Sequence, residues 1–130
     1  MVPSSASDES VSANDLDCSI YVDSASQEAV LKAVERKLGG TTEMNDVLVS
    51  STVRVYVAHN DYEGDSTDPS DFIGWPSVLE CEILNGVNEE TYMEDIGASL
   101  SALWETGFRA VAACNFEDRL PRGGGIGLYS

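Results

Sequence analysis

Histidine, cysteine and basic residues are all scarce in this sequence, and each shortage removes a class of function. His59 is the only histidine, so a zinc site or a Ser-His-Asp arrangement would depend on that single residue. The three cysteines, Cys18, Cys81 and Cys114, are far apart and lack CxxC-like spacing, which favours reduced core thiols over a disulfide or a metal site. We therefore expect neither a metal ion nor a cofactor.

Long apolar runs are also missing. No stretch approaches the roughly 20 apolar residues that cross a bilayer. Residues 1–17 are Ser-rich and acidic, without the positive and apolar regions of a secretion signal. We expect them to be a disordered lead-in to a single α+β domain over residues 18–120, followed by a Gly-rich tail at 121–130. These features favour a cytoplasmic protein.

Acidic residues dominate the charge of the chain. There are 23 Asp and Glu against 7 Lys and Arg, which gives a formal net charge of −16. This imbalance argues against binding to nucleic acid or to anionic membranes, because both need basic residues. The excess of acidic residues is concentrated between Arg54 and Arg109, an interval with twelve Asp and Glu and no Lys or Arg. Such a field attracts a basic partner, although acidity also serves solubility alone.

The first regular elements are a strand and a helix. Alternation over residues 18–22 predicts a strand, and apolar residues at helical spacing then predict a helix of three to four turns. Ser24 with Gln27 forms one candidate capping box, and Ser26 is the alternative N-cap. Gly39 and the glycine after it supply the stop signal.

Three further strands and a second helix follow. Residues 44–49 and 53–58 predict two paired strands with a turn at 50–51, and residues 77–84 predict another. Asn88 is the expected N-cap of the second helix and Gly107 its end, with Gly97 marking a close approach of helix and sheet. The final strand, 109–116, is apolar on both faces, which favours an interior position in the sheet.

The order of these elements predicts the fold. Strand, helix, two or three strands, helix and strand match a ferredoxin-like split βαβ sandwich of the α+β class. We expect an antiparallel sheet with two helices on one face and an extra hairpin strand.

A long acidic loop at 60–76 is the main candidate for a functional segment, because structureless loops of this length are uncommon in compact domains. Its aromatic residues and the adjacent strand carboxylates resemble the composition of protein interfaces. The candidate partner-binding residues are Asp61, Glu63, Asp65, Asp68, Asp71, Phe72, Trp75, Glu80 and Glu82. The alternative for the two aromatic residues is that they hold the loop on the core.

Catalytic and ion-binding patterns are incomplete. The alternate acids from Asp61 resemble the start of a calcium loop, but Ser66 and Phe72 stand where that loop needs Gly and Glu. The glycines at 123–127 lack the Lys and the strand-to-helix context of a phosphate cradle. No catalytic residue is predicted; a hydrolase or isomerase would have to combine His59 with carboxylates such as Glu80 and Glu82, or Glu117 and Asp118.

Several motifs resemble those of small acidic bacterial proteins of unassigned function, many of them actinobacterial. The motifs are Trp75-Pro76 followed by Glu80, Leu103-Trp104 with Gly107, and the run Ala112–Pro121 before the glycines. More loosely, the chain resembles immunity proteins that neutralise polymorphic toxins. That resemblance implies a cytoplasmic, non-catalytic inhibitor and assigns no site residues.

The leading hypothesis is thus an acidic binding protein, an inhibitor or immunity protein that covers a basic protein partner. A small-ligand-binding regulatory domain, often dimeric, is the second hypothesis. A small enzyme built on His59 is the third.

Overall fold

Two helices and six strands form the regular structure of the described residues. The computed structural model describes residues 16–44, 46–60 and 72–128. In chain order the elements are β1 (Cys18–Val22), α1 (Gln27–Leu38), β2 (Thr41–Glu43), β3 (Val47–Val49), β4 (Val53–His59), β5 (Ser77–Ile83), α2 (Glu89–Thr106) and β6 (Ala110–Ala113). Short 3-10 turns lie at Phe72–Gly74 and Glu117–Arg119, and the segment Pro121–Leu128 that follows is kinked, with positive φ at Arg122 and the three glycines after it. The α+β class is confirmed.

Local signals in the sequence place both helices correctly. Ser26, rather than Ser24, caps α1, and Gly39 follows its last residue. The Asn88 side chain accepts hydrogen bonds from two amides of the first turn of α2, at 2.8 and 3.2 Å. Gly107 ends α2 in the left-handed conformation, with φ of 105°. These caps satisfy backbone groups that the helix itself leaves without partners.

The six strands form one antiparallel sheet in the order β2-β3-β4-β5-β1-β6. The sheet has one strand more than expected, because residues 41–49 form a hairpin of two short strands. The prediction of a single strand over 44–49 is wrong in its first half. Met44 has φ of 55° and lies in the turn between β2 and β3, and such a φ is incompatible with extended strand backbone.

Strand β6 lies at an edge of the sheet, so the prediction of an interior position is wrong. Its residues Ala110 to Ala112 are nevertheless fully buried. The indole nitrogen of Trp104 donates to the Ala110 carbonyl over 3.0 Å, and the backbone at Gly124 lies against the Ala112 carbonyl. A helix side chain and the C-terminal segment therefore cover this edge where another strand was expected.

Gly97 in α2 also contacts the C-terminal segment rather than the sheet. A Cβ atom at Gly97 would lie 2.9 Å from Cδ of Pro121. The prediction that this glycine marks a close approach of helix and sheet is therefore wrong. The helix is close to the chain that follows β6.

The two faces of the sheet differ in what covers them. The helices pack on each other and share one buried cluster with the strand side chains that alternate inward, such as Ile20, Val55 and Leu79. Side chains of the opposite register point to the other side. We call that side the open face and define it by Ser19, Arg54, Tyr56, Glu80 and Glu82. Neither α1 nor α2 packs on the open face, whereas the 3-10 turn Phe72–Gly74 covers one end of it, where Phe72 contacts Tyr21 of β1.

Candidate partner-binding face

The two predicted strand carboxylates lie next to each other on the open face. Glu80 and Glu82 flank Cys81, which points the opposite way and is only 3% exposed. This alternation confirms the predicted half-buried character of β5. The two carboxylates are therefore held on a rigid strand rather than on a loop.

Neighbouring strands surround these carboxylates with polar groups. Arg54 on β4 is directly opposite Glu82, and its Nη1 lies 2.8 Å from the Glu82 Oε1. On the other side, the Ser19 hydroxyl of β1 donates to Glu80. The Tyr56 ring is opposite Glu80 and is 40% exposed, with its hydroxyl 3.5 Å from Glu82. The open face thus combines acidic groups with one exposed aromatic ring.

A third carboxylate, Asp17, joins this face from the residue before β1. Its pKa is raised from the ordinary value, first by partial burial and then by the charges of Glu82 and Glu80. The electrostatic coupling means that the three carboxylates share one region of negative potential. Sequence reasoning missed Asp17, because it was assigned to the lead-in and only the pairing of β1 with β5 brings it there.

The lead-in itself lies outside the described residues except for its last two positions. Leu16 is 8% exposed and belongs to the core, and Asp17 is exposed. The ordered part of the chain therefore extends at least two residues before β1.

Both aromatic residues of the candidate set pack against the protein. The Phe72 ring lies 5.4 Å from the Tyr21 ring, centre to centre. Trp75 is 4% exposed, and the guanidinium carbon of Arg109 lies 4.9 Å from its ring centre. Arg109 in turn donates from Nε to Asp23 over 3.0 Å. These contacts hold the end of the loop on the sheet, so a partner could reach little of the Trp75 ring in this conformation.

The remaining candidate acids lie outside the described residues. They are Asp61, Glu63, Asp65, Asp68 and Asp71, which also carry the calcium-like spacing. Among the residues that are described, no group of three or more His, Cys, Asp and Glu side chains has an arrangement that could hold a metal ion.

The groups proposed for acid–base chemistry do not share one side of the sheet. His59 ends β4 two residues after the buried Val57, so alternation directs it to the helix side, whereas Glu80 and Glu82 are on the open face. Glu117 is engaged elsewhere and accepts a hydrogen bond from the Cys114 amide over 2.9 Å. The sheet therefore separates His59 from the strand carboxylates.

Several grooves lie on the helical side of the described structure, and two of them exceed 400 Å³. One, of about 480 Å³, lies between α2 and the C-terminal segment and includes Met93, Gly97, Arg119 and Pro121. The other, of about 460 Å³, lies between α1 and β2. Both volumes are within the range of small-molecule sites.

Neither helix of the described chain has the length and apolar character that crossing a membrane requires. Comparison with known proteins found no matching family model, no similar curated protein and no similar solved structure.

Proposed function

We propose that this protein is a non-catalytic acidic binding protein whose open face covers a basic protein partner, in the manner of an inhibitor or immunity protein. The observation that carries the proposal is the position of Glu80 and Glu82, side by side on a sheet face that the helices leave uncovered, with Asp17 electrostatically coupled to both. A rigid strand presents these groups at little entropic cost on binding.

The composition of the open face supports a protein rather than a small ion as its ligand. Tyr56 offers an exposed aromatic ring beside the carboxylates, and tyrosine is enriched among the residues that dominate binding energy at interfaces. Arg54 neutralises part of Glu82, while the net charge of −16 supplies long-range attraction for a basic surface. Binding of a protein partner draws on both features: the net charge attracts its basic surface, and the mixed polar and aromatic face then contacts it.

We further propose that the domain is a ferredoxin-like split βαβ fold extended by the β2–β3 hairpin. The order β6-β1-β5-β4, with one helix after β1 and one after β5, supports this assignment. In such a plan both helices cover one side of the sheet, and the other side is free to take a partner.

The test compares two triple variants with the same change in net charge. The open-face variant carries Asp17→Asn, Glu80→Gln and Glu82→Gln. The control carries Glu28→Gln, Glu94→Gln and Glu105→Gln, all exposed on the helices. Immobilised wild-type protein and both variants are exposed to lysate of the source cells, and the retained proteins are identified by mass spectrometry.

We expect a basic protein that wild type and the helix control retain and the open-face variant loses. Hydrogen exchange on that complex should then show added protection in β4 and β5. Equal loss from both variants would mean unspecific charge attraction, and it would overturn the proposal.

A small-ligand regulatory domain is the second candidate, and the groove between α2 and the C-terminal segment favours it. Its lining combines the Met93 side chain with charges of both signs, since the Arg119 guanidinium lies 3.9 Å from the Glu90 carboxylate. Such a lining suits a ligand with an apolar part and both an anionic and a cationic group. A screen of metabolites by thermal shift tests this alternative. A ligand whose stabilising effect disappears in the Arg119→Gln variant would support it.

A further inference from the structure

The fold brings together all three cysteines of the chain. Cys81 on β5 is directly opposite Cys18 on β1. On the other side of β1, Ser19 pairs with Ala113, so the next position of that register sets Cys114 opposite Cys18. The thiol row Cys81, Cys18, Cys114 therefore runs across β5 and β1 to the residue after β6, although its members are at least 33 positions apart in the sequence.

Solvent access differs along the thiol row. Cys18 and Cys81 are 2% and 3% exposed, whereas Cys114 is only partly buried at the margin of the core. Cys114 follows the last residue of β6, where the chain turns toward Glu117. An oxidant from solvent therefore reaches Cys114 first, and Cys18 is the thiol directly beside it.

The local interactions of the two thiols also differ. The neighbouring Cys18 thiol and the Phe116 backbone lower the pKa of Cys114 against the opposing effect of burial, whereas the Cys114 thiol and burial raise the pKa of Cys18. Burial raises the pKa of Cys81, with smaller contributions from the Glu80 charge. Because the thiolate is the reactive form, Cys114 is the nucleophile of the row.

We propose that Cys114 and Cys18 form an oxidation site at which a peroxide converts the two thiols into a reversible cross-strand disulfide. Directly opposite residues of an antiparallel pair have Cβ atoms about 4.5–5.5 Å apart, and a disulfide needs about 3.5–4.5 Å. A small shift at the end of β6 is sufficient to form the bond. The inference is independent of the proposed binding function, because the thiol row is on the helix side of the sheet.

The chemistry proceeds in two balanced steps. The Cys114 thiol ionises, its thiolate attacks one oxygen of the peroxide, and the O–O bond breaks to give a sulfenic acid. The leaving hydroxide or alkoxide takes up the proton that the Cys114 thiol released, and departs as water or an alcohol. The Cys18 sulfur then attacks the sulfenic sulfur, the S–O bond breaks, and water leaves with the Cys18 proton. Two thiols are oxidised by two electrons in total, and one peroxide is reduced.

Tryptic mapping tests the pairing directly, because Lys and Arg place the three cysteines in separate peptides: 1–32, 55–109 and 110–119. The reduced full chain is treated with hydrogen peroxide, its remaining thiols are alkylated, and it is digested without reductant. We expect peptide 1–32 joined to peptide 110–119, and release of both by dithiothreitol. A dominant link between 1–32 and 55–109, or irreversible oxidation of Cys114 without a link, would overturn the proposal.

Two variants separate the nucleophile from its buried neighbour. In Cys114→Ser we expect no disulfide and a loss of thiols to peroxide at least about tenfold slower, because a buried thiol of high pKa reacts slowly. In Cys81→Ala the link between 1–32 and 110–119 should form at close to the wild-type rate. Circular dichroism checks that both variants fold, and the wild-type map decides the pairing if either does not. If Cys114→Ser forms a disulfide between Cys18 and Cys81 as fast as the wild type forms its own disulfide, that result would contradict the inference.

Discussion

The hydroxyl of Tyr92 donates to the backbone carbonyl of Leu16 over 2.6 Å and lies 3.2 Å from the carbonyl of Cys81. Tyr92 is fully buried in α2, and burial raises the pKa of its hydroxyl. One hydroxyl therefore joins the helix, the central part of β5 and the chain that enters β1. This contact fixes the residue before Asp17 and so helps to hold Asp17 beside the open face.

Replacing Tyr92 by Phe should lower the free energy of unfolding by about 1–2 kcal/mol, because the ring is retained while buried carbonyls lose their donor. Urea unfolding followed by circular dichroism measures this loss. Tyr56→Phe is the matched control, because its hydroxyl is on the exposed open face, and we expect a change within about 0.5 kcal/mol. Similar losses in both variants would contradict a structural role for the Tyr92 hydroxyl.

The N-cap of α2 provides a second stability test. Asn88→Ala should cost about 1 kcal/mol, because two amides of the first turn lose their acceptor. Asn88→Ser should retain most of the stability, since a serine hydroxyl can accept the same hydrogen bonds. An equal loss in Ala and Ser variants, measured by urea unfolding, would mean that the cap contributes little.

Residues 123–125 are glycines that lie in the segment after β6. Their packing can be tested with a pair of alanine substitutions. A Cβ atom at Gly125, where φ is 91°, would lie 2.7 Å from Cζ2 of Trp104, so Gly125→Ala should cost about 2–4 kcal/mol. At Gly123 φ is 61° and no atom lies within 4 Å, so Gly123→Ala should cost about 1 kcal/mol.

Urea unfolding measures both costs, and tryptophan fluorescence reports on Trp104 together with Trp75. Equal effects of the two substitutions would mean that the segment does not pack on Trp104.

Features encoded by neighbouring residues could be predicted from this sequence. Ser26, Asn88 and Gly107 act through hydrogen bonds and backbone angles within one turn, so their roles follow from local chemistry. The alternation in β5 similarly revealed which side Glu80 and Glu82 share. The turn at Met44 was missed because nothing about a methionine signals a positive φ.

Features that depend on pairing between distant strands could not be predicted. The apolar run of β6 indicated burial correctly, but it did not indicate that Trp104 and the glycines near 124 provide it. The wide spacing of the cysteines argued against any pairing between them, yet the registers of β1 with β5 and β6 align them in one row. These strands are not joined by hairpins, so their register is set by the hydrophobic pattern of the sheet and does not follow from the spacing of the cysteines.

The coupling of Asp17 to Glu80 and Glu82 predicts a specific dependence of stability on pH. The folded pKa of Asp17 is raised above the unfolded value of 3.8. The folded protein therefore keeps the proton at pH values where the unfolded chain has lost it. This contribution to stability is fully present below pH 3.8 and is lost as the pH rises through the folded pKa.

Asp17→Asn removes the charge that the other two carboxylates disfavour. At pH 7 we expect the variant to be more stable than wild type by about 0.5 kcal/mol, a small figure because Asp17 is exposed and solvent screens the charges. The difference should disappear below pH 3.8, where Asp17 is protonated in both states, and shrink in high salt. Urea unfolding across this pH range measures it, with Glu105→Gln as the control for net charge. A difference that grows on acidification would contradict the coupling, since protonation removes the repulsion on which it depends.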